Sequence, residues 1–223
     1  MEAAGIYADT RRRVADLLRP LSEHQLAQPV PACPGWSVKD VAGHLAAVAA
    51  DVGAGRIDGP GTAAWIARQV KERRSRPMAE VLQEWDLRGT EVEALLPEMG
   101  RAAAPLVVHL VTSEHDLRGA LAMPGARASA GVDFALQTVV ASLGDRIRRR
   151  RLGALRLHAG QDEWIVGTGE PEATVTADRF ELVRALVGRR SIEQVGAFGW
   201  EGDAAPYVAL FPGLPAAVVD LGE

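Results

Sequence analysis

Apolar residues recur at helical spacing through the first two thirds of the chain. Side chains three and four positions apart share one face of an α-helix, so this spacing predicts amphipathic helices. In the segment 3–18 the shared face carries Ile6, Val14, Leu17 and Leu18. Further helices are predicted at about 38–52, 62–74, 78–96, 105–121 and 130–150. Helices of this kind bury their apolar faces against one another, which predicts a helical bundle.

The start of the second of these helices is marked by local signals. The segment "PVPACPGW" at 29–36 is too rich in proline and glycine to be regular. Ser37 follows as a predicted N-cap, and Asp40 stands three residues later, as in a capping box. The stretch Gly53–Gly61 after the helix is predicted to be a loop.

The spacing of apolar residues changes after Gly153. "ALRLHAG", "DEWIVGT" and "EATVTAD" alternate between apolar and polar residues and are separated by turns that contain glycine, which predicts three antiparallel strands. "DRFELVRALVGRRSIEQVGAFGW" is predicted to be helical, with Asp178 as its cap and Gly188 as a stop. We therefore predict a boundary at 152, with a helical bundle in 1–152 and a small α+β domain in 153–223.

Composition narrows the class of partner. The 25 basic and 29 acidic residues give a net charge of -4, which does not favour nucleic acid. No stretch approaches the ~20 uncharged apolar residues of a membrane span, and the N-terminus does not read as a signal peptide. The single cysteine, Cys33, forms no internal disulfide and fits a reducing compartment. We expect a cytoplasmic monomer or homodimer that acts on a small molecule, with no nucleic-acid or membrane partner.

His44 is the first candidate site residue, because it lies among Val41, Leu45 and Val48 on the apolar face of its helix. A neutral imidazole in such surroundings needs a hydrogen-bond partner or a metal ion. The alternative is a histidine with a purely structural role in the core.

The segment "HLVTSEHDLRGAL" holds the second candidate, His109. Helical positions turn by ~100° each, so Ser113 and Asp116 lie near the face of His109, whereas Glu114 and His115 leave it. His109 and Asp116 are ~10 Å apart along the helix axis, too far for one zinc ion with bonds of ~2 Å. The position that would complete a metal site with the two histidines is therefore 113, and it holds serine, a poor zinc ligand.

Three segments resemble those of a known family. "PACPGWSVKDVAGHLA", "EHDLRGALAMPGARAS" and "EATVTADRFELVRALVGRRSIEQVGAFGWEGD" are similar to parts of the mycothiol-dependent maleylpyruvate isomerase family, a branch of the DinB/YfiT-like metalloenzymes. The similarity spans about 7 to 210. It implies a mainly α fold, in which a DinB-like four-helix bundle precedes a small α+β C-terminal domain of the sterol-carrier type.

The resemblance also implies a site. Family members hold a divalent metal, usually zinc, with three residues, at the positions of His44, His109 and Ser113. They use it to activate a thiol such as mycothiol, for isomerisation or thiol transfer. An arginine of the C-terminal domain binds an anionic substrate, and Arg189 and Arg190 are the candidates by position. Ser113 departs from the family pattern, because a histidine is the usual ligand there.

Several interpretations stay open at this point. A weak metal site could be completed by the substrate or another residue, or the same pocket could bind a ligand or do metal-free chemistry with His44 and His109 as acid and base. Asp116 is a candidate for orienting a histidine. Tyr7 and Trp36 are candidates for contacts to a cofactor, although Trp36 also suits a wedge under its loop.

The predicted function is accordingly that of a small-molecule enzyme, an isomerase, thiol transferase or related lyase or cyclase. The alternative is a member of the DinB-like fold without catalysis, which binds a small molecule or a protein or has a structural or regulatory role.

Overall fold

The computed structural model describes residues 2–56 and 61–222, so positions 57–60 of the predicted loop lie outside the described residues. The chain divides after Gly125 into two units. The division falls earlier than the boundary at 152 that the sequence predicts. The long helix at 130–150 packs against elements that follow it in the chain, which places it with the C-terminal unit.

The N-terminal unit is helical, as predicted. Its helices are α1 (Ala3–Leu18), α2 (Glu23–Leu26), α3 (Val38–Gly53), α4 (Ala63–Arg73), α5 (Met78–Met99) and α6 (Ala103–Ala120). The long helices α1, α3, α5 and α6 pack against one another, and α4 packs against α3. This arrangement confirms the prediction of a mainly α fold.

Helix α3 begins where its local signals predict. The Ser37 side chain accepts a hydrogen bond from the Asp40 backbone N–H, and the Asp40 side chain accepts one from the Ser37 N–H, which completes a capping box. The small residues Ala42, Gly43 and Ala46 are buried, so neighbouring helices approach α3 closely. Burial on nearly every side makes α3 the central helix of the unit.

Helix α6 differs from its prediction in one respect. Glu114 and His115, which were expected to leave the buried face, are both buried. The Glu114 carboxylate, with 0% exposure, accepts hydrogen bonds from Arg13 at 2.7 Å and from Arg118 at 3.0 Å. Helical spacing alone could not predict this burial, because the cations that match the charge of Glu114 come partly from α1.

The stretch 78–120, which contains α5 and α6, is long and apolar enough by length and composition to span a membrane. Part of its apolar surface belongs to the protein core, since Val92, Leu96, Val107 and Leu110 are buried in the N-terminal unit. The stretch is therefore weak evidence for a membrane span.

The C-terminal unit combines helices with a small sheet. Its elements are α7 (Ala130–Arg150), β1 (Ala154–Ala159), β2 (Asp162–Val166), β3 (Pro171–Thr176), α8 (Arg179–Leu186), α9 (Ile192–Gly196), β4 (Gly199–Gly202) and α10 (Ala205–Val208). The described strands form one sheet in the order β2-β1-β3-β4. Helices α7 and α8 pack together, and α7 also contacts β2.

The sheet corrects two predictions. Strands β1 and β3 are parallel, not antiparallel, and 199–202 is a strand, not the end of a helix. After β2 the chain passes the start of β1 and pairs Pro171 with Ala154, so β3 runs in the direction of β1. Gly167 makes this crossing with φ of 105°, where a Cβ atom would lie 3.0 Å from the Ala154 Cα. Helix α9 ends at Gly196, and residues 199–202 then pair with β3.

Candidate functional site

The N-terminal unit brings His44 of α3 and His109 of α6 together. Their ring centroids are 5.1 Å apart and the rings are nearly perpendicular, at 85°. His44 is 7% exposed and His109 is half-buried. Two imidazoles from separate helices therefore meet inside one unit, and one of them is partly accessible to solvent.

Two tryptophans complete what we call the imidazole cluster: His44, His109, Trp36 and Trp65. The Trp36 ring lies 5.2 Å from the His44 ring at 73°, and the Trp65 ring lies 6.2 Å from it at 87°. Trp36 comes from the loop before α3 and Trp65 from α4. The sequence singled out Trp36 but not Trp65, because only the packing of α4 against α3 brings Trp65 to His44.

His44 is held by a chain of buried polar groups. Its Nδ1 atom lies 2.8 Å from Oε1 of Gln69, and Nε2 of Gln69 donates to Oδ2 of Asp51 at 2.7 Å. Gln69 is 0% exposed and Asp51 is 2% exposed. Arg68 donates to Oδ2 of Asp51 at 2.8 Å, and Arg56 donates to Oδ1 at 3.0 Å. We call His44, Gln69 and Asp51 the relay.

The ionisation of Asp51 is set by its hydrogen-bond partners. Burial acts to raise the pKa of the Asp51 carboxyl, but hydrogen bonds from Gln69, Arg68 and Arg56 outweigh burial and lower the pKa. The carboxylate is therefore ionised at neutral pH and acts only as an acceptor.

Burial lowers the pKa of His44 to about 4, and the hydrogen bond to Gln69 opposes this shift only in part. The imidazole is thus neutral at pH 7. A neutral imidazole has one donor and one acceptor nitrogen, which is the form that accepts a hydrogen bond or binds a metal.

The other two predicted site residues of α6, Ser113 and Asp116, follow His109 along the helix. Ser113 is buried one helical turn after His109. Asp116 is also buried, and its Oδ2 accepts a hydrogen bond from the Cys33 thiol at 3.6 Å. This contact ties the "PACPGW" loop to α6. The role of Asp116 in orienting a histidine stays a prediction.

Tyr7 is fully buried in the N-terminal unit, and burial raises the pKa of its phenol to about 12, so the group stays protonated. Its contact with a cofactor stays a prediction.

The two predicted anion-binding arginines lie in the C-terminal unit. Arg190 is 3% exposed, and its guanidinium donates to both carboxylate oxygens of Glu181, at 2.6 and 3.0 Å. Arg189 is half-buried and donates to the Val187 carbonyl at 3.4 Å. Binding of substrate by either arginine stays a prediction.

A cavity of about 500 Å³ lies against α4. Trp36, Ile66 and Val70 supply apolar wall, and Lys71 and Arg74 are the cationic lining residues. Arg74 is already paired with Asp40, at 2.9 and 3.1 Å. Trp36 belongs both to this cavity and to the imidazole cluster.

The donor set fits only part of a metal centre. Two imidazoles bound to one tetrahedral zinc at ~2.0 Å have ring centroids ~5 Å apart, close to the spacing of His44 and His109. No group of three or more His, Cys, Asp or Glu side chains within the described residues is placed to hold a metal. With serine at 113, the residues present do not fit the three-ligand centre that the resemblance implies.

Comparison with known proteins agrees with the resemblance. The mycothiol maleylpyruvate isomerase N-terminal domain family matches residues 7–116, which contain the whole imidazole cluster. No protein of curated function matches the chain significantly by sequence.

The fold is similar to a crystal structure of the mycothiol-dependent maleylpyruvate isomerase, with 12% identity and a TM-score of 0.55. It is also similar to a histidine-to-alanine mutant of that enzyme, with 11% identity and a TM-score of 0.57. Each match covers 84% of this chain and 88% of the other. Residues 7–116 of the chain therefore belong to the mycothiol maleylpyruvate isomerase N-terminal domain family.

Proposed function

We propose that this chain binds a small molecule at the imidazole cluster without a three-ligand metal centre. One observation carries the proposal: His44 and His109 lie together, while serine occupies the third ligand position. The two imidazoles thus occupy two of the three ligand positions that the resemblance implies, and the third position lacks a good metal ligand. His44, buried against Trp36 and Trp65, and the half-buried His109 offer polar groups beside apolar rings, a combination that is typical of small-molecule sites.

The cavity beside Trp36 supports a ligand of moderate size. Its volume of about 500 Å³ is in the range of ~300–1,000 Å³ that small-molecule pockets have. Its lining combines Ile66 and Val70 with the cations Lys71 and Arg74, of which Arg74 is paired with Asp40. This lining favours a ligand with an apolar body and a negative charge.

The second candidate function is catalysis by the same residues, as an isomerase, thiol transferase or related lyase or cyclase. The proximity of His44 to the half-buried His109 favours it, because one imidazole can accept a hydrogen bond while the other exchanges protons with solvent. The proposed role of Asp116 is to orient a histidine, and binding of an anionic group remains a separate proposal for Arg189 and Arg190. We place the protein in the cytoplasm, as its single cysteine, which forms no disulfide within the chain, suggests.

Activation of a thiol by His44 alone is not favoured. A thiol has a pKa of ~8.5, whereas burial lowers the pKa of His44 to about 4. Proton transfer from the thiol to this imidazole is therefore unfavourable by a factor of ~10⁴. In a reaction that uses mycothiol, the thiol would contact His44 in its neutral form. His109 would then be the base that accepts the thiol proton.

Metal analysis of the full chain, purified without a histidine tag, tests the proposal. We expect less than stoichiometric zinc after dialysis against zinc and then buffer, in the wild type and in His44→Ala alike. Stoichiometric zinc that His44→Ala abolishes would overturn the metal-independent site.

Catalysis is tested with maleylpyruvate and mycothiol, with and without a chelator. Turnover that survives the chelator and is lost in His109→Gln supports the second candidate. Absence of turnover together with ligand binding supports the first.

A further inference from the structure

We propose that Gln69 and Asp51 are positioning residues that make Nε2 of His44 a hydrogen-bond acceptor, so that the site selects ligands with a hydroxyl or thiol donor. The inference rests on the proposed function, because it names the ligand chemistry of the same site. It is carried by the orientation of one buried amide.

The orientation of the Gln69 amide follows from its partner. Asp51 accepts from Arg56 and Arg68 as an ionised carboxylate and has no proton to donate. The atom of Gln69 that faces Asp51 at 2.7 Å must therefore be the Nε2 amide nitrogen. The carbonyl oxygen Oε1 is then the atom that faces His44.

The orientation of the amide assigns the imidazole proton. Oε1 of Gln69 is an acceptor and lies 2.8 Å from Nδ1 of His44, so Nδ1 carries the hydrogen and donates it. In the neutral ring Nε2 then holds the lone pair. The opposite tautomer would place two acceptors against each other in a site that excludes water, which is costly.

The surroundings of His44 make this assignment selective. The rings of Trp36, Trp65 and His109 lie close to the imidazole and steeply inclined to it, and His44 is almost wholly buried. A ligand group that reaches Nε2 must donate a hydrogen bond or leave both groups unpaired. An ether, thioether or carboxylate oxygen meets a lone pair there, whereas a hydroxyl or thiol meets an acceptor.

A purely structural network would also satisfy these buried groups, so the decisive readout is the tautomer itself. In the full chain labelled with ¹⁵N-histidine, long-range ¹H–¹⁵N spectra at pH 7 report which ring nitrogen of His44 is protonated. We expect Nδ1–H in the wild type, and Nε2–H in the wild type would overturn the proposal. Gln69→Leu removes the acceptor and should shift the ring toward Nε2–H.

Two further variants protect this test from a folding artefact. Gln69→Glu keeps an oxygen opposite Nδ1 and should keep the Nδ1–H tautomer, even though it places a second carboxylate near Asp51. Gln83→Leu, at an exposed position of α5, is the matched control and should leave His44 unchanged. A Gln69→Glu protein that folds and shows Nε2–H would contradict the relay.

Ligand selection is measured with phenol, which donates a hydrogen bond, and anisole, which has no donor. We expect phenol to shift the His44 ring nitrogens at concentrations at least ~10-fold lower than anisole does, the discrimination that ~1.4 kcal/mol supports. In Gln69→Leu the preference should largely disappear. Equal affinities in the wild type would overturn the selection of donors. Failure of both probes to bind counts against the proposed function. In that case the tautomer of His44 alone tests whether Gln69 and Asp51 position the imidazole.

Discussion

Ser113 follows His109 by one turn of α6, on the helix that carries one of the two paired imidazoles. A histidine at 113 would therefore project near the same place as His109, since positions four apart share a helix face. We therefore expect that a histidine at 113 could add a third ligand beside His44 and His109.

The first prediction concerns this position. Ser113→His should add a third imidazole to His44 and His109 and create a zinc site, because three ligands with one open position are sufficient for zinc. We expect about one zinc per chain by elemental analysis of the tag-free protein, against a small fraction in the wild type. The double variant Ser113→His, His44→Ala should return to the wild-type level. Equal zinc in Ser113→His and in the wild type would show that the two rings do not face one ion.

The second prediction concerns acid. The pKa of His44 is about 4 in the folded state, against ~6.5 in an unfolded chain. Between these values the unfolded state binds more protons, so the free energy of unfolding falls as the pH falls from 6.5 to 4. The loss reaches about 3 kcal/mol at pH 4 and is absent above pH 6.5.

Urea unfolding at several pH values measures this effect as the difference between the wild type and His44→Phe. The difference in unfolding free energy should shift by about 3 kcal/mol in favour of His44→Phe as the pH is lowered from 7 to 4. A difference that stays constant over this window would contradict the lowered pKa. Asp40, Asp51 and Glu84, whose pKa values are also lowered, act in both proteins and cancel.

The sequence was sufficient for those features that depend on local signals. The apolar spacing of 3–18 predicted α1 with both ends in place, and Ser37 with Asp40 predicted the start of α3. The family resemblance indicated the mainly α fold with a small α+β domain, and the family itself is confirmed by the match over 7–116.

Two features that depend on pairing between distant elements were not predicted. Gln69 and Asp51 lie on α4 and α3, and nothing in either local sequence shows that one amide bridges His44 to a carboxylate. The parallel pairing of β1 with β3 depends on which side of β1 the chain passes after β2, which alternation of side chains does not encode. In both cases the missing information is tertiary.

The third prediction concerns the contact between α1 and α5. A Cβ atom at Gly89 would lie 2.3 Å from Cδ and 2.6 Å from Nε of Arg11, whose buried guanidinium pairs with Asp86 and Glu93. Gly89→Ala should therefore displace Arg11 from both carboxylates and lower the free energy of unfolding by ~2 kcal/mol, although alanine favours a helix. Urea unfolding measures the change. Gly196→Ala, with open space around the added atom, is the control and should change it by less than ~0.5 kcal/mol.

The fourth prediction concerns Glu114, the carboxylate that joins α6 to α1. Glu114→Ala leaves Arg13 and Arg118 without their shared partner at a site where the carboxylate itself is fully buried. Removal of one member of a buried ion pair costs ~3 kcal/mol or more, because the remaining charges stay partly desolvated. Glu80→Ala removes the mostly exposed partner of Arg76 and should cost under ~1 kcal/mol. Because Glu114 lies one residue after Ser113, its loss should also disturb α6 beside the imidazole cluster. Thermal unfolding of both variants measures the change in stability, and histidine NMR spectra of the native state measure the disturbance of α6. Equal stabilities of Glu114→Ala and Glu80→Ala would show that the buried ion pairs do not anchor α6.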